Sequence, residues 1–152
     1  MREVELFIDG ACSGNPGESA VGVVIIENKK IIKEISQSIG QATNNIAEYT
    51  ALIYGLQEAL ILRADKVSVN TDSELLYQQI NGRYKVKNAN LKHLHAQIMH
   101  LLSGLKTFEI RHVPREQNKQ ADMLATQAIK KEQAKMVAPL FNIGEESPSS
   151  EG

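Results

Sequence analysis

Short apolar runs near the start of the chain predict β-strands. Residues 4–9, 21–27 and 31–39 each form such a run, and a glycine-punctuated stretch at residues 10–17 and a polar turn at residues 28–30 separate them. Because only this short turn joins the second and third runs, we expect those two strands to form an antiparallel hairpin. The chain is therefore predicted to begin with three strands.

After residue 43 the apolar spacing changes from that of strands to that of a helix. Leu52, Leu56 and Leu60 recur every four residues, and the polar side chains of residues 43–45 are suited to capping the start of this helix. The same patterns predict a strand at residues 66–71, a helix at 72–80, a helix near 91–102, a strand at 108–113 and a last helix near 121–129. Hairpin connections followed by helical crossovers predict an α/β fold in which helices flank a mixed sheet.

The length and composition suit one globular domain. The chain has 152 residues, of which 42% are hydrophobic, so it is large enough to bury an aliphatic core. After residue 134 the composition changes, and residues 144–152 contain mainly Glu, Ser, Pro and Gly. We therefore expect one domain at residues 1–134 and a partly disordered C-terminal tail at residues 135–152.

Charge and cysteine content place few limits on the partners of the chain. The formal net charge of -1 argues neither for nor against nucleic acid, because a binder with this balance can still segregate its charges. Cys12 is the single cysteine of the sequence, so no internal disulfide can form. No apolar stretch approaches the length of a membrane span. We expect a monomer in the reducing cytoplasm, with no membrane or disulfide partner.

Four acidic residues stand where a sheet of this kind gathers ligands. Asp9 ends the first predicted strand and Asp72 ends the fourth, so their carboxylates meet at one edge of the sheet if these strands are parallel neighbours. Glu48 stands four residues before Leu52, on the apolar face of its helix, where an uncompensated carboxylate is costly. Asp122 lies near the start of the last helix and follows the same pattern less strongly.

Carboxylates that converge repel one another and repel phosphate, and divalent cations reverse both effects. Mg²⁺ prefers carboxylate oxygens, phosphate oxygens and water, and a pair of such ions can stabilise the attacking and leaving oxygens of a phosphodiester. The pattern therefore indicates a metal-dependent nuclease. Taken singly, two positions keep another interpretation open, since Asp72 could only cap a helix and Asp9 could only begin an Asp-Gly turn.

Four segments resemble, in order and spacing, the motifs of the type 1 ribonuclease H family. They are residues 7–17 (FIDGACSGNPG), 43–49 (TNNIAEY), 69–73 (VNTDS) and 114–125 (PREQNKQADMLA). The resemblance covers roughly residues 1–134, and motifs that agree over such a length are unlike a chance match.

The resemblance implies a ribonuclease H-like fold, with a five-stranded mixed sheet whose first three strands are antiparallel. It implies an endonuclease that hydrolyses the RNA strand of RNA–DNA hybrids and leaves 3′-hydroxyl and 5′-phosphate ends. It assigns Asp9, Glu48, Asp72 and Asp122 as catalytic ligands of two Mg²⁺ or Mn²⁺ ions, with Asp9 bridging them. It also gives Glu48 a hydrogen bond from a 2′-hydroxyl of the RNA, a group that distinguishes RNA from DNA.

The resemblance further implies substrate contacts in the first two motifs. Residues of the glycine stretch would face the minor groove of the hybrid, where glycine lets the backbone approach closely. Residues at the start of the first helix would contact sugars, bases and a phosphate of the DNA strand, a role that is compatible with helix capping. These contacts are assigned to Gly10, Cys12, Ser13, Gly14, Asn15, Thr43, Asn44 and Asn45.

Two features depart from the common family pattern. Many members carry a long basic protrusion where this chain has only a short segment with Arg83, Lys85 and Lys87, so it resembles the compact form of the family and predicts a salt-dependent affinity for the hybrid. Many members also place a mobile histidine before the last aspartate. His112 has the usual spacing but could belong to the fifth strand, and Arg115 could take its place, so both remain candidates with a slight preference for Arg115.

Two other functions remain open from the sequence. A relative of this family could bind hybrids without cutting them, although all four acidic positions are filled. The fold could also serve another substrate, such as double-stranded RNA.

Overall fold

The computed structural model describes residues 1–141, with side chains described through residue 137. Its elements are β1 (Glu3–Cys12), β2 (Gly17–Glu27), β3 (Lys30–Ala42), α1 (Asn44–Ile61), β4 (Lys66–Thr71), α2 (Glu74–Ile80), α3 (Ala89–Leu102), β5 (Thr107–His112), a 3₁₀ turn (Arg115–Gln117) and α4 (Lys119–Phe141). The tail expected at residues 144–152 lies outside the described residues. Within residues 1–141, no helix combines the length and apolar character needed to cross a membrane.

The five strands form one mixed sheet in the order β3-β2-β1-β4-β5. The pairs β1–β2 and β2–β3 are antiparallel, and β1–β4 and β4–β5 are parallel. The predicted mixed sheet with an antiparallel first half is thus confirmed. Because Ile8 pairs with Thr71 in the parallel register, Asp9 and Asp72 follow at neighbouring positions along the same edge.

Helices cover both faces of the sheet. The larger core lies where α1, α2 and α3 pack on one face, and Leu6, Leu52 and Leu56 are fully buried in it. Helix α4 packs on the other face, where Leu124 contacts Val24 of the sheet. The apolar face predicted for α1 is therefore the one that meets the sheet.

The first connection is shorter than the sequence indicates. A loop was expected over residues 10–17, but β1 continues to Cys12 and β2 begins at Gly17. Small residues at these positions still pair across the antiparallel ladder, as Gly10 does with Val21 and Cys12 with Ser19. Consequently, Asp9 lies within a strand, and the interpretation of Asp9 as the start of an Asp-Gly turn is wrong.

The start of α2 also differs from the expected one. A helix was expected from residue 72, but α2 begins at Glu74, and the Ser73 side chain caps it by accepting a hydrogen bond from the Leu76 amide at 3.2 Å. Asp72 therefore stands between β4 and the cap, and the interpretation of Asp72 as a helix cap is wrong. At the other end of the domain, α4 continues past the expected boundary at residue 134 to Phe141.

Candidate active site

Three carboxylates converge at the edge of the sheet where β1 and β4 run side by side. Asp9 lies in β1, Asp72 follows β4 directly, and Glu48 lies in the second turn of α1. One oxygen from each carboxylate lies within 4.8 Å of the other two. Asp9 is only 5% exposed, whereas Glu48 and Asp72 are half-buried. The sequence-based expectation that Asp9 and Asp72 meet at one sheet edge is confirmed.

Glycine at position 10 determines how closely α1 approaches β1. A Cβ atom on Gly10 would lie 2.3 Å from the carbonyl carbon of Ala47, so only glycine allows this packing. The Gly10 amide also donates a hydrogen bond to Oε1 of Glu48 at 2.9 Å. The contact presses the start of α1 against the strand and holds Glu48 beside Asp9.

A second glycine determines how closely α4 approaches the sheet. Gly22 of β2 pairs with Asp9 of β1, and a Cβ atom on Gly22 would lie 2.0 Å from the carbonyl oxygen of Ala121. Because Asp122 follows Ala121, this close approach brings its carboxyl group near Asp9, and the charge of Asp122 helps to raise the pKa of Asp9. The fourth carboxylate therefore reaches the site from the opposite face of the sheet.

Asn118 anchors the start of α4, a role that the sequence did not predict. It is 1% exposed, and its Nδ2 donates a hydrogen bond to the carbonyl oxygen of Ile8 at 2.8 Å. Its own carbonyl accepts a hydrogen bond from the Asp122 amide at 3.1 Å. Its place just before a helix was the available signal, but nothing in the sequence indicates that its side chain reaches β1.

Burial and like charges make these carboxyl groups hold protons strongly. Burial, reinforced by the charges of Glu48, Asp72 and Asp122, raises the pKa of Asp9 to about 9. Burial, and then the charge of Asp72, raises the pKa of Glu48 to about 8, while the Gly10 amide and Arg115 act in the opposite direction.

The donor set fits a hard divalent cation. All the converging ligand atoms are carboxylate oxygens, the ligands that Mg²⁺ and Mn²⁺ prefer. A cation among them would offset the mutual repulsion that raises the pKa values of Asp9 and Glu48. Asp122 belongs to the site because it lines the same cleft and its charge helps to raise the pKa of Asp9, although its oxygens lie outside the tightest group.

A cleft of about 460 Å³ opens over the carboxylates. All four predicted acidic residues line it, so the structure brings the complete predicted set together. The lining residues are Asp9, Gly10, Ala11, Cys12, Asn44, Asn45, Glu48, Asp72, Ser73, Arg115 and Asp122.

Comparisons with known proteins identify the family. A family model described as reverse transcriptase-like matches residues 7–128. The crystal structure of ribonuclease H1 from Halobacterium salinarum covers 85% of this chain and 98% of its own, with a TM-score of 0.83 and 38% sequence identity. The N-terminal ribonuclease H domain of a Mycobacterium tuberculosis protein covers 84% of this chain and 98% of its own, with a TM-score of 0.81 and 40% identity. The chain belongs to the type 1 ribonuclease H family.

A third structure of the family, LC11-RNase H1, was solved in complex with an RNA/DNA hybrid. It covers 86% of this chain and 99% of its own, with a TM-score of 0.81 and 39% identity. Among curated relatives, the chain spans 43% of a bifunctional protein of M. tuberculosis at 37% identity and 64% of ribonuclease HI of H. salinarum at 39% identity. It thus spans less than two thirds of the length of these curated relatives.

The substrate residues suggested by the ribonuclease H motifs fall into two groups. Those on the cleft are Gly10, Cys12, Asn44 and Asn45. Those beyond its lining are Ser13, Gly14, Asn15 and Thr43. In the second group, Asn15 Oδ1 accepts a hydrogen bond from the Asn44 amide at 3.0 Å, and Thr43 Oγ1 caps α1 by accepting from the Ile46 amide at 3.3 Å. Asn15 and Thr43 therefore support the start of α1, which carries Asn44 and Asn45.

The two candidate basic residues occupy different surroundings. Arg115 lines the cleft, and its charge acts on Glu48. His112 is the last residue of β5, and its ring stacks on Tyr77 of α2 with centroids 5.8 Å apart. The expectation that His112 could belong to the strand is confirmed, and Arg115 is the candidate that lines the cleft together with the carboxylates.

Proposed function

We propose that this chain is an endoribonuclease that hydrolyses the RNA strand of RNA–DNA hybrids. The observation that carries the proposal is the convergence of Asp9, Glu48 and Asp72, with oxygens within 4.8 Å of one another, in a cleft that Asp122 completes. Membership of the ribonuclease H family supports this chemistry, and the hybrid bound to LC11-RNase H1 supports the substrate. The site is complete within one chain, so we expect a monomer to be active.

Two Mg²⁺ or Mn²⁺ ions are the proposed cofactors, held by Asp9, Glu48, Asp72 and Asp122. When bound, such ions supply Lewis-acid stabilisation of the phosphate charge and activation of water. Asp9, which is buried and lies close to Glu48 and Asp72, would be a ligand of both ions.

The remaining groups of the site would select and orient the substrate. Glu48, held by the Gly10 amide, would accept a hydrogen bond from an RNA 2′-hydroxyl and so favour RNA at the cut site. Asn44, Asn45 and the backbone around Cys12 would contact the minor groove from the same cleft. These roles are supported by the fact that all of these groups line the same cleft.

Hydrolysis adds one water molecule to the phosphodiester. A water oxygen bonds to phosphorus, the bond from phosphorus to the 3′ oxygen breaks, and a proton reaches that oxygen, giving a 3′-hydroxyl and a 5′-phosphate. Arg115 would stabilise the negative charge that develops on the leaving oxygen, because its guanidinium lies on the same cleft as the carboxylates.

Cleavage of three matched duplexes tests this function. The protein is incubated with Mg²⁺ or Mn²⁺ and one of three labelled duplexes of the same sequence. These are an RNA–DNA hybrid, an RNA duplex and a DNA duplex. We expect cleavage of the RNA strand of the hybrid alone, with 5′-phosphate products that ligate directly. Preferred cleavage of the RNA duplex would reassign the substrate. Tight hybrid binding without cleavage under either metal would instead make the protein a binding module and overturn the proposal.

A further inference from the structure

The connection between α2 and α3 is a short segment that carries cations and is held in place by hydrogen bonds. We call residues 81–88 the basic loop, because Arg83, Lys85 and Lys87 lie exposed in it. The loop folds back on α2, since the amides of Arg83 and Tyr84 both donate to the carbonyl of Gln78, at 2.8 and 3.2 Å. The first half of the loop is therefore secured by the end of the preceding helix.

The second half of the loop is secured by a buried side chain. Gln79 of α2 is 5% exposed, and its Nε2 donates a hydrogen bond to the carbonyl oxygen of Lys85 at 3.1 Å. Its Oε1 accepts a hydrogen bond from the hydroxyl of Tyr49, which is fully buried in α1 and follows Glu48 directly. Two consecutive hydrogen bonds thus connect the helix that carries Glu48 to the basic loop.

The side chain of Arg83 also contacts α2. Its guanidinium lies over the ring of Tyr77, 5.7 Å from the centroid, and the same ring stacks on His112. His112 ends β5, and the next amide, that of Val113, donates to the carbonyl of Thr71 at 2.9 Å. Because Asp72 follows Thr71, the loop is connected to the strand ends that present the carboxylates.

A buried amide with both of its groups satisfied specifies one arrangement of the segments that it joins. A loop held in one arrangement loses less conformational entropy when a ligand binds, so each cation on it contributes more to affinity. This matters here because the segment is short and offers three cations for phosphate contacts.

We propose that Gln79 is a positioning residue that holds the basic loop ready for the phosphate backbone of a bound hybrid. The inference rests on the proposed function, since it assumes that a hybrid occupies the cleft. Gln79 does not touch the substrate in this scheme. It acts through Lys85, whose carbonyl it fixes, and through the neighbouring cations.

Gln79→Met tests the proposal, because methionine keeps the volume but removes both hydrogen bonds. We expect KM for the hybrid to rise about fivefold while kcat changes less than about twofold, as for lost preorganisation. Tyr49→Phe removes only the bond to Gln79 Oε1 and keeps the bond from Gln79 to Lys85, so KM should rise less than in Gln79→Met. Gln127→Met, at an exposed position of α4, serves as the matched control. Thermal melts ensure that each variant is assayed while folded.

Two further measurements separate positioning from general stabilisation. Amide hydrogen exchange at Gly82, Arg83 and Tyr84 should be faster in Gln79→Met than in wild type. In a background where Arg83, Lys85 and Lys87 are all alanine, Gln79→Met should no longer raise KM, because the groups through which it acts are gone.

An unchanged KM, an equal rise in the alanine background, or a parallel fall in kcat would each overturn the role of Gln79. These outcomes require an active wild-type protein. Failure of the wild type to cleave the hybrid would instead overturn the proposed function, so the two failures are distinguishable.

Discussion

At the scale of single residues, the site is defined by carboxyl groups that lie close together around the buried Asp9. Asp9 and Glu48 have raised pKa values because burial and neighbouring carboxylates both penalise ionisation. Such a cluster is costly for the metal-free protein, which is typical of a site built for function. The position of Glu48 on an apolar helix face made it recognisable from the sequence, since few structural roles place a carboxylate there.

The raised pKa of Asp9 makes the stability of the metal-free protein depend on pH. The pKa of an unfolded aspartate is about 3.9, whereas the pKa of folded Asp9 is about 9, so the folded state binds more protons between these values. The free energy of unfolding should therefore fall as pH rises from 6 to 9 in EDTA. Urea denaturation of wild type and Asp9→Asn checks this, and the variant should show a shallower dependence. Equal slopes, or a wild type that gains stability over this range, would contradict the raised pKa.

Arg115 and His112 should differ in their importance for the rate. Arg115→Ala removes a cation from the cleft and should lower kcat about 10- to 100-fold, whereas His112→Ala removes a stacking contact with Tyr77 and should change kcat less than about threefold. Single-turnover cleavage of the hybrid measures both. A larger loss in His112→Ala would show that the histidine, despite its place in β5, is the residue that serves the reaction.

At the scale of elements, the site depends on two close approaches of helices to strands. Gly10 allows α1 to pack closely on its strand, and Gly22 does the same for α4. These helices carry Glu48 and Asp122. The family motif explained Gly10 by contact with substrate, but the structure adds a packing reason, because a Cβ atom there would overlap Ala47. A glycine in a sequence does not reveal which neighbour approaches it, so the long-range partners of these glycines were not predictable.

Replacing Gly22 tests the packing of α4. Gly22→Ala places a methyl group 2.0 Å from the backbone oxygen of Ala121 and should destabilise the fold by about 1–3 kcal/mol while moving Asp122. Gly104→Ala is the matched control, because its new methyl group would meet the flexible end of Leu60 at 3.1 Å and should cost less than about 1 kcal/mol. Urea denaturation compares the two, and equal losses would contradict a specific role for Gly22.

Element boundaries were less predictable than element types. β1 and β2 extend into the glycine-rich segment because small residues such as Ala11 and Ser19 still pair across the ladder. The start of α2 shifted to Glu74 because Ser73, not Asp72, caps it. Capping and pairing are decided by neighbours in space, and adjacent polar residues in a sequence do not indicate which of them is the cap.

At the scale of the whole molecule, the topology explains why the carboxylates meet. The central position of β1, parallel to β4 and antiparallel to β2, puts Asp9 between residues from both faces of the sheet. Order and type of the elements followed from the sequence, as did the four acidic positions. The buried polar contacts of Asn118 and Gln79 did not, because their partners, Ile8 and Lys85, are set by the tertiary fold.

The need for both the metal and the carboxylates is tested by the rate at which wild type and Asp72→Asn cleave the RNA strand of a labelled RNA–DNA hybrid in Mg²⁺. Asp72 is the sharpest choice because Ser73 caps α2, so the asparagine variant keeps the local structure and loses one ligand charge. We expect cleavage by wild type that stops in EDTA, and a loss of at least about 100-fold in the variant. Cleavage by the variant at the wild-type rate, or cleavage by wild type that persists in EDTA, would contradict a metal-dependent carboxylate site.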